Sequence, residues 1–336
     1  MATRTNRSPG TVTLADVAER VGVSARTVSR VVNGEGGCTE ATRQRILDAI
    51  AELGYRPNLM ARGLTRRRSD MVGLVAAEMR DPFFPEFADG VERAASASGR
   101  TMFLASTAGE RSLQHQALAT LIGHGADGAI VFPATGSADD LAGFAREGLR
   151  IVVVNSDIAG PGIGSVSAEI QHGAAQAVAH LVERGRRRIA FLAPAGGRTG
   201  RRERGYRAAL ERAGLPIDES LIIEVSNSLD GGRQGAVSAM SLDHPPDAIF
   251  AYNDLIAIGV LQQCLALGHV VPDEIAIVGF DDISMCEAMT PGLTSVRIDR
   301  DQLGRAAVEM VQQLVDNGEA APRTYPVELI ARASSG

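Results

Sequence analysis

Residues 13–33, Thr13-Leu14-Ala15-Asp16-Val17-Ala18-Glu19-Arg20-Val21-Gly22-Val23-Ser24-Ala25-Arg26-Thr27-Val28-Ser29-Arg30-Val31-Val32-Asn33, spell two short amphipathic helices on either side of a glycine. Leu14, Val17, Ala18 and Val21 fall on one helical stripe. Gly22 permits a tight turn, Ser24 can N-cap a second helix, and Val28, Val31 and Val32 would face inward from it. Helix, short glycine-containing turn, helix is the helix-turn-helix pattern. The second helix would turn Ala25, Arg26, Ser29 and Arg30 outward. Arginine pairs bidentately with guanine in the major groove, while serine and threonine hydroxyls hold phosphates. A third helix is expected from Thr39 to Leu53, with Ile46, Ile50 and Leu53 packing inward.

Charge sets this segment apart from the rest of the chain. Residues 1–70 hold 12 Arg against 7 Asp and Glu, a net +5, while the remainder holds 22 Arg against 33 acids, a net −11. A basic head on an acidic body implies that only the head meets nucleic acid. All 34 basic residues are Arg, which reads as codon bias rather than function. A chain of 336 residues implies two or three domains, and 45% hydrophobic with 22% charged residues excludes a wholly disordered one. No apolar run approaches the ~18 residues of a membrane span. The polar start, Met1 to Gly10, is no secretory signal, so a cytoplasmic protein with no membrane partner is expected. Cys38, Cys264 and Cys286 have no zinc spacing and read as isolated thiols.

Residues 55–70, with Pro57, Gly63 and Arg66-Arg67-Arg68, read as a linker. From Met71 onward short apolar runs alternate with amphipathic stretches. The runs are Met71–Ala76, Thr101–Ala105, Ala129–Phe132, Ile151–Val154, Ile189–Ala193, Leu221–Val225, Ala248–Ala251 and Ile275–Phe280. Helix-like stretches between them often end on glycine, at Gly99, Gly125, Gly148, Gly185, Gly214 and Gly268. This rhythm predicts parallel sheets covered on both faces, too many units for one sheet and therefore two α/β lobes. Ligands in such folds sit beyond the carboxyl ends of the strands.

The helix-turn-helix segment, with Gly54-Tyr55-Arg56-Pro57-Asn58-Leu59-Met60-Ala61-Arg62-Gly63-Leu64 after it, resembles the lactose-repressor/galactose-repressor family of bacterial transcription regulators. The likeness runs from Thr13 to about Ile330. It implies a helix-turn-helix headpiece at 1–57, a hinge helix and linker at 58–70, and an effector-binding, dimerising body at 71–336. The body would be two-lobed, like the periplasmic sugar-binding proteins, with lobe one at about 71–167 and 300–326 and lobe two at about 168–299 and 327–336.

By the same resemblance Ala25 and Arg26 read bases and Arg30 is another groove-facing residue. Ser24, Thr27, Ser29, Asn33 and Thr39 match phosphate-contacting positions, and Thr13, Asn58 and Arg62 are DNA-contacting ones. Leu64 matches the leucine that wedges into the minor groove and kinks the DNA. Two features depart from the pattern: Gly63 inside the hinge helix, and the Gly34-Glu35-Gly36-Gly37 loop followed by Cys38, where an apolar residue is usual.

The resemblance also implies a small-molecule effector, a sugar or sugar derivative, between the lobes. Its candidate partners come after the expected strands: Phe83 and Phe84 in Asp81-Pro82-Phe83-Phe84, then Asn155, Arg202, Asn253 and Asp281. Carboxylate, amides and a guanidinium fork suit vicinal hydroxyls, and a phenyl ring suits a sugar face. Asp254 and Asp282 read as helix N-caps, and Tyr252 stands where a small residue is usual. The partners implied are a pseudo-palindromic operator and a second copy of the chain, with no cofactor and no metal.

An enzyme finds no support in the sequence. Gly160-Pro161-Gly162-Ile163-Gly164 lacks dinucleotide-loop spacing, and there is no lysine for a phosphate-binding loop. No H-E-x-x-H and no Gly-x-Ser-x-Gly occurs. The rival reading is a sugar-binding receptor without DNA function, which leaves the basic head unexplained.

Overall fold

The computed structural model describes residues 12–56, 69–194 and 200–336. Asn58, Arg62, Gly63 and Leu64 lie outside them. The chain divides into two units, residues 1–69 and 70–336.

The first unit holds α1 (Leu14–Val21), α2 (Ala25–Val32) and α3 (Glu40–Leu53). Each begins on a hydroxyl. Thr13 and Asp16 form a reciprocal capping box on α1, Ser24 Oγ accepts from Thr27 N at 3.1 Å, and Thr39 Oγ1 from Thr42 N at 3.3 Å. Gly22 takes φ 74°, the left-handed conformation that turns α1 sharply into α2. Val17, Ala18, Val21, Val28, Val31, Ile46 and Ala49 form the core. Ile50, Leu53 and Val32, expected inward, are only half-buried, because three short helices are too few to enclose their outer turns. Cys38 packs against the edge of this core as a small hydrophobe.

The second unit is built on two six-stranded sheets. Sheet one takes β1 (Met71–Ala76), β2 (Thr101–Ser106), β3 (Gly128–Phe132), β4 (Arg150–Val154), β5 (Ile163–Ala168) and β11 (Arg323–Tyr325). Sheet two takes β6 (Ile189–Pro194), β7 (Ile222–Val225), β8 (Ala248–Ala251), β9 (Ala276–Asp281), β10 (Thr294–Arg297) and β12 (Glu328–Ile330). The orders are β11-β5-β4-β3-β1-β2 and β12-β10-β9-β8-β6-β7, parallel except for β12 against β10.

Helices α4 (Phe83–Ala97), α5 (Arg111–Gly123), α6 (Ala138–Arg146) and α12 (Arg300–Asn317) cover the first sheet. Helices α7 (Ile170–Glu183), α8 (Gly200–Arg212), α9 (Leu229–Met240) and α10 (Asp254–Ala266) belong to the second, and α11 (Met285–Ala288) is a single short turn after β9. The six glycines expected to end helices all lie at positive φ.

The chain passes between lobes three times: from β5 to α7, from β10 to α12, and from β11 to β12. A Cβ on Gly205 would collide with the Gln171 carbonyl oxygen, so glycine is what lets α8 rest against α7. Among the described residues no helix is long and apolar enough to cross a membrane.

Candidate functional site

In the head, Ala25, Arg26 and Arg30 stand exposed along α2, while Thr27, Ser29 and Asn33 are partly covered. The Arg30 Nε lies 3.8 Å from Glu35 Oε2, and its guanidinium rests against Gly37, where a Cβ would come within 2.7 Å. The glycine-rich loop is thus the surface on which Arg30 lies. Ser24 and Thr39, expected at phosphates, and Thr13, expected at the DNA, are the N-cap residues of the three helices. Their hydroxyls sit where helix amides converge and anions are favoured.

In the body, Arg202 is the centre of a polar cluster. Its Nη2 donates to Asp281 Oδ1 at 2.9 Å, and its guanidinium lies between the rings of Tyr252 and Phe280, 4.3 and 4.1 Å from their centroids. Tyr252 therefore clamps the arginine, and no small residue could do this. The Arg202 Nε is buried and has no hydrogen-bond partner among the described residues. Asp281 ends β9 at φ 106°, outside the comfortable range of a residue with a side chain, and Asp282 (φ 51°) and Asn155 (φ 52°) are also left-handed. Such strain at strand ends is a mark of functional positions. Burial drives the Asp281 carboxyl well above the usual range, with Arg202 pulling the other way and Asp81 and Asp254 pushing further up.

Asn253 ties the lobes together. Its Nδ2 donates to Asp81 Oδ2 at 2.9 Å and to Asn227 Oδ1 at 2.8 Å, while its Oδ1 caps α10 by accepting from Ile256 N at 3.0 Å. Burial raises the Asp81 carboxyl, against the Phe83 amide and Arg202. A second tie joins Glu86 to Ser284, whose N and Oγ donate to Oε1 at 3.1 and 2.8 Å. Arg300 completes it, with Nε 3.0 Å from Glu86 Oε2 and two further bonds to the carbonyls of Asp281 and Asp282.

Of the six sequence-derived effector residues, the structure joins Arg202 to Asp281 directly and brings Asn253 to the lobe boundary. Asn155 is held at the end of β4 by accepting from Ala168 N at 2.8 Å. Phe83 is core, 4% exposed, in a cluster with Phe84, Phe87 and Phe132; Phe84 is the half-buried ring of the pair.

The N-cap reading of Asp254 and Asp282 is corrected. Asn253, in extended conformation, caps α10, and Asp254 is fully buried, accepting from Ile283 N at 2.9 Å and Ser295 Oγ at 2.6 Å. Asp282 accepts from Arg297 Nε and Arg332 Nη1, both at 2.7 Å. Asp81 and Asn227 also come after strands, so the strand-end rule could have found them. Glu86, Ser284 and Arg300 meet only through the fold and leave no local signal. Beside the cluster, a groove of about 820 Å3 opens between the lobes; none of the six residues lines it.

Comparison with known proteins agrees with this architecture. Residues 13–58 match the model of bacterial regulatory proteins of the lacI family, and residues 178–335 match a periplasmic binding protein-like domain. The chain is 34% identical to the transcriptional regulator DegA of Bacillus subtilis, over 87% of this chain and 88% of the relative. A solved transcriptional regulator CelR–cellobiose complex superposes with TM-score 0.72 at 30% identity, covering 96% of this chain and 99% of the other. The lac repressor dimer bound to operator and an anti-inducer superposes with TM-score 0.86 at 26% identity, over 97% and 99% of the two chains.

Proposed function

Because the chain belongs to the lacI family of bacterial regulatory proteins, we propose that it represses a carbohydrate uptake or catabolism operon from a pseudo-palindromic operator. A sugar-class effector held between the lobes of its body alters the hold of the head on DNA. It is a DNA-binding regulator rather than an enzyme, and the receptor-only alternative gives way to the lacI head at 13–58. It works in the cytoplasm as a homodimer.

The observation that carries the effector reading is the Arg202–Asp281 pair, 2.9 Å apart and clamped by two rings at the ends of sheet-two strands. A guanidinium fork beside a carboxyl offers donor and acceptor to a vicinal diol, and Asn253 adds an amide within reach of both lobes. A ligand that touches these groups while the Asp81–Asn253 and Glu86–Ser284 ties hold has a different affinity when they part. That difference is the whole source of coupling. In the head, Arg26 and Arg30 read base edges while Ser24, Thr27 and Thr39 seat the phosphates; Asn58, Arg62 and Leu64 engage the operator centre.

The test is a footprint on the chain's own upstream region, at one stated salt concentration, with and without a panel of sugars. A roughly two-fold-symmetric protected site that one sugar weakens or strengthens is expected. Asp281→Asn should keep the protection and lose the response to that sugar. A normal dose–response in that variant removes Asp281 from the site, and protection indifferent to every sugar overturns the sugar reading.

A further inference from the structure

The groove beside the polar cluster has a chemistry of its own. One wall is α8, where Arg201, Arg204 and Arg212 line it along with Gly205 and Ala208. Steps of three and four along this helix put these residues on one face. Gly205 is pressed against the Gln171 carbonyl oxygen of α7, and Ala208 puts only a methyl group between Arg204 and Arg212. The opposite wall belongs to lobe one and includes Asp157, Ser167 and Arg323.

Four arginines line the groove, Arg201, Arg204, Arg212 and Arg323, against two carboxylates, Asp157 and Glu169. Arg201 pairs with Asp157 across it, and Arg323 reaches Glu309 at 3.0 Å. Among the described residues Arg204 donates to the neutral Gln171 Oε1, at 3.3 Å, and neither Arg204 nor Arg212 has a carboxylate within ion-pair distance. Two guanidiniums on one helix, facing hydroxyls and paired with no carboxylate among the described residues, suit an anion with several acceptor oxygens. The volume of about 820 Å3 is within the range of small-molecule sites.

We propose that this groove is a second ligand site, separate from the Arg202–Asp281 cluster, that binds a phosphate-bearing small molecule through Arg204 and Arg212. Its walls come from both lobes and lie beside the β5–α7 and β11–β12 crossings. A bound anion therefore favours one lobe arrangement over the other and acts as a second allosteric input. The binding claim is independent of the sugar reading above; only its effect on the operator rests on that regulator reading.

Titration calorimetry on the whole chain tests it, at fixed ionic strength so that general screening is constant. The probes are ribose 5-phosphate, ribose and inorganic phosphate. Saturable binding of ribose 5-phosphate is expected, weakened at least about tenfold in Arg204→Gln/Arg212→Gln, whose exposed side chains leave the fold intact. Asp281→Asn should bind it as the unaltered chain does, which separates this site from the sugar cluster. Equal affinity for inorganic phosphate would assign the groove to the free anion; tighter binding of the ester would assign it to a sugar phosphate. Either supports the site. An unchanged affinity in the double variant, a loss in Asp281→Asn, or no saturation by about 10 mM of either phosphate overturns it.

Discussion

Asp254 shows how far one buried carboxyl reaches into this fold. Burial lifts it from an ordinary value of 3.8 to about 7, against hydrogen bonds from Ser295 and Ile283. A carboxyl whose folded value is raised holds its proton longer in the folded chain than in the unfolded one. Its contribution to stability is therefore fully present below 3.8 and declines as the pH rises through about 7. Asp254→Asn removes that titration. Unfolding measured from pH 4 to 8 should show the variant gaining on the unaltered chain as the pH rises; parallel curves would mean that Asp254 is ionised throughout. That Arg202 and Asp281 meet is legible only in part: Asp281 follows an apolar strand run, whereas Arg202, inside a helix, is singled out by resemblance alone. The sequence misleads at Asp254, because Asn253-Asp254 offers two capping residues side by side and only the backbone conformation decides between them. Glu86 and Ser284 lie 198 residues apart and nothing local announces their bond.

Among the elements, α8 carries the heaviest constraint, since it holds Arg202 at one site and Arg204 and Arg212 at another. Its contact with α7 depends on Gly205, so Gly205→Ala should push the helices apart. A loss of about 1–3 kcal/mol in denaturant unfolding is expected, together with a weakened effector response because Arg202 moves from Asp281. Full stability with a full response would show that the helix pair adjusts without strain. All eight apolar runs became strands; the central ones are apolar throughout because a parallel strand buried on both faces must be, while β2 and β7 lie at sheet edges and stay partly exposed. Strand β5 escaped that rule, since Ser165 and Ser167 interrupt it. Ser165 is accommodated by donating to the Ser156 carbonyl at 2.7 Å. The short edge strands β11 and β12 have three residues each and no periodicity to read.

For the whole molecule, strand β2 at the edge of sheet one is the exposed flank. Phe103 and Leu104 are 48% and 47% exposed there, on an edge with unpaired backbone groups. Phe103→Glu should leave the body folded and shift the chain toward monomer in sedimentation, with operator affinity falling at least about tenfold as one half-site is lost. An unchanged dimer would place the interface elsewhere. The three crossings between lobes also bear on how the chain is made. Sheet one is not complete until β11, yet its other five strands are translated before any of lobe two. While residues 169–299 leave the ribosome, the surface that α12 will cover with Leu303, Ala307, Met310, Val311 and Leu314 has nothing over it. The nascent chain must carry that open apolar face through the synthesis of an entire second lobe, which makes this interval the one in which a holding chaperone matters most.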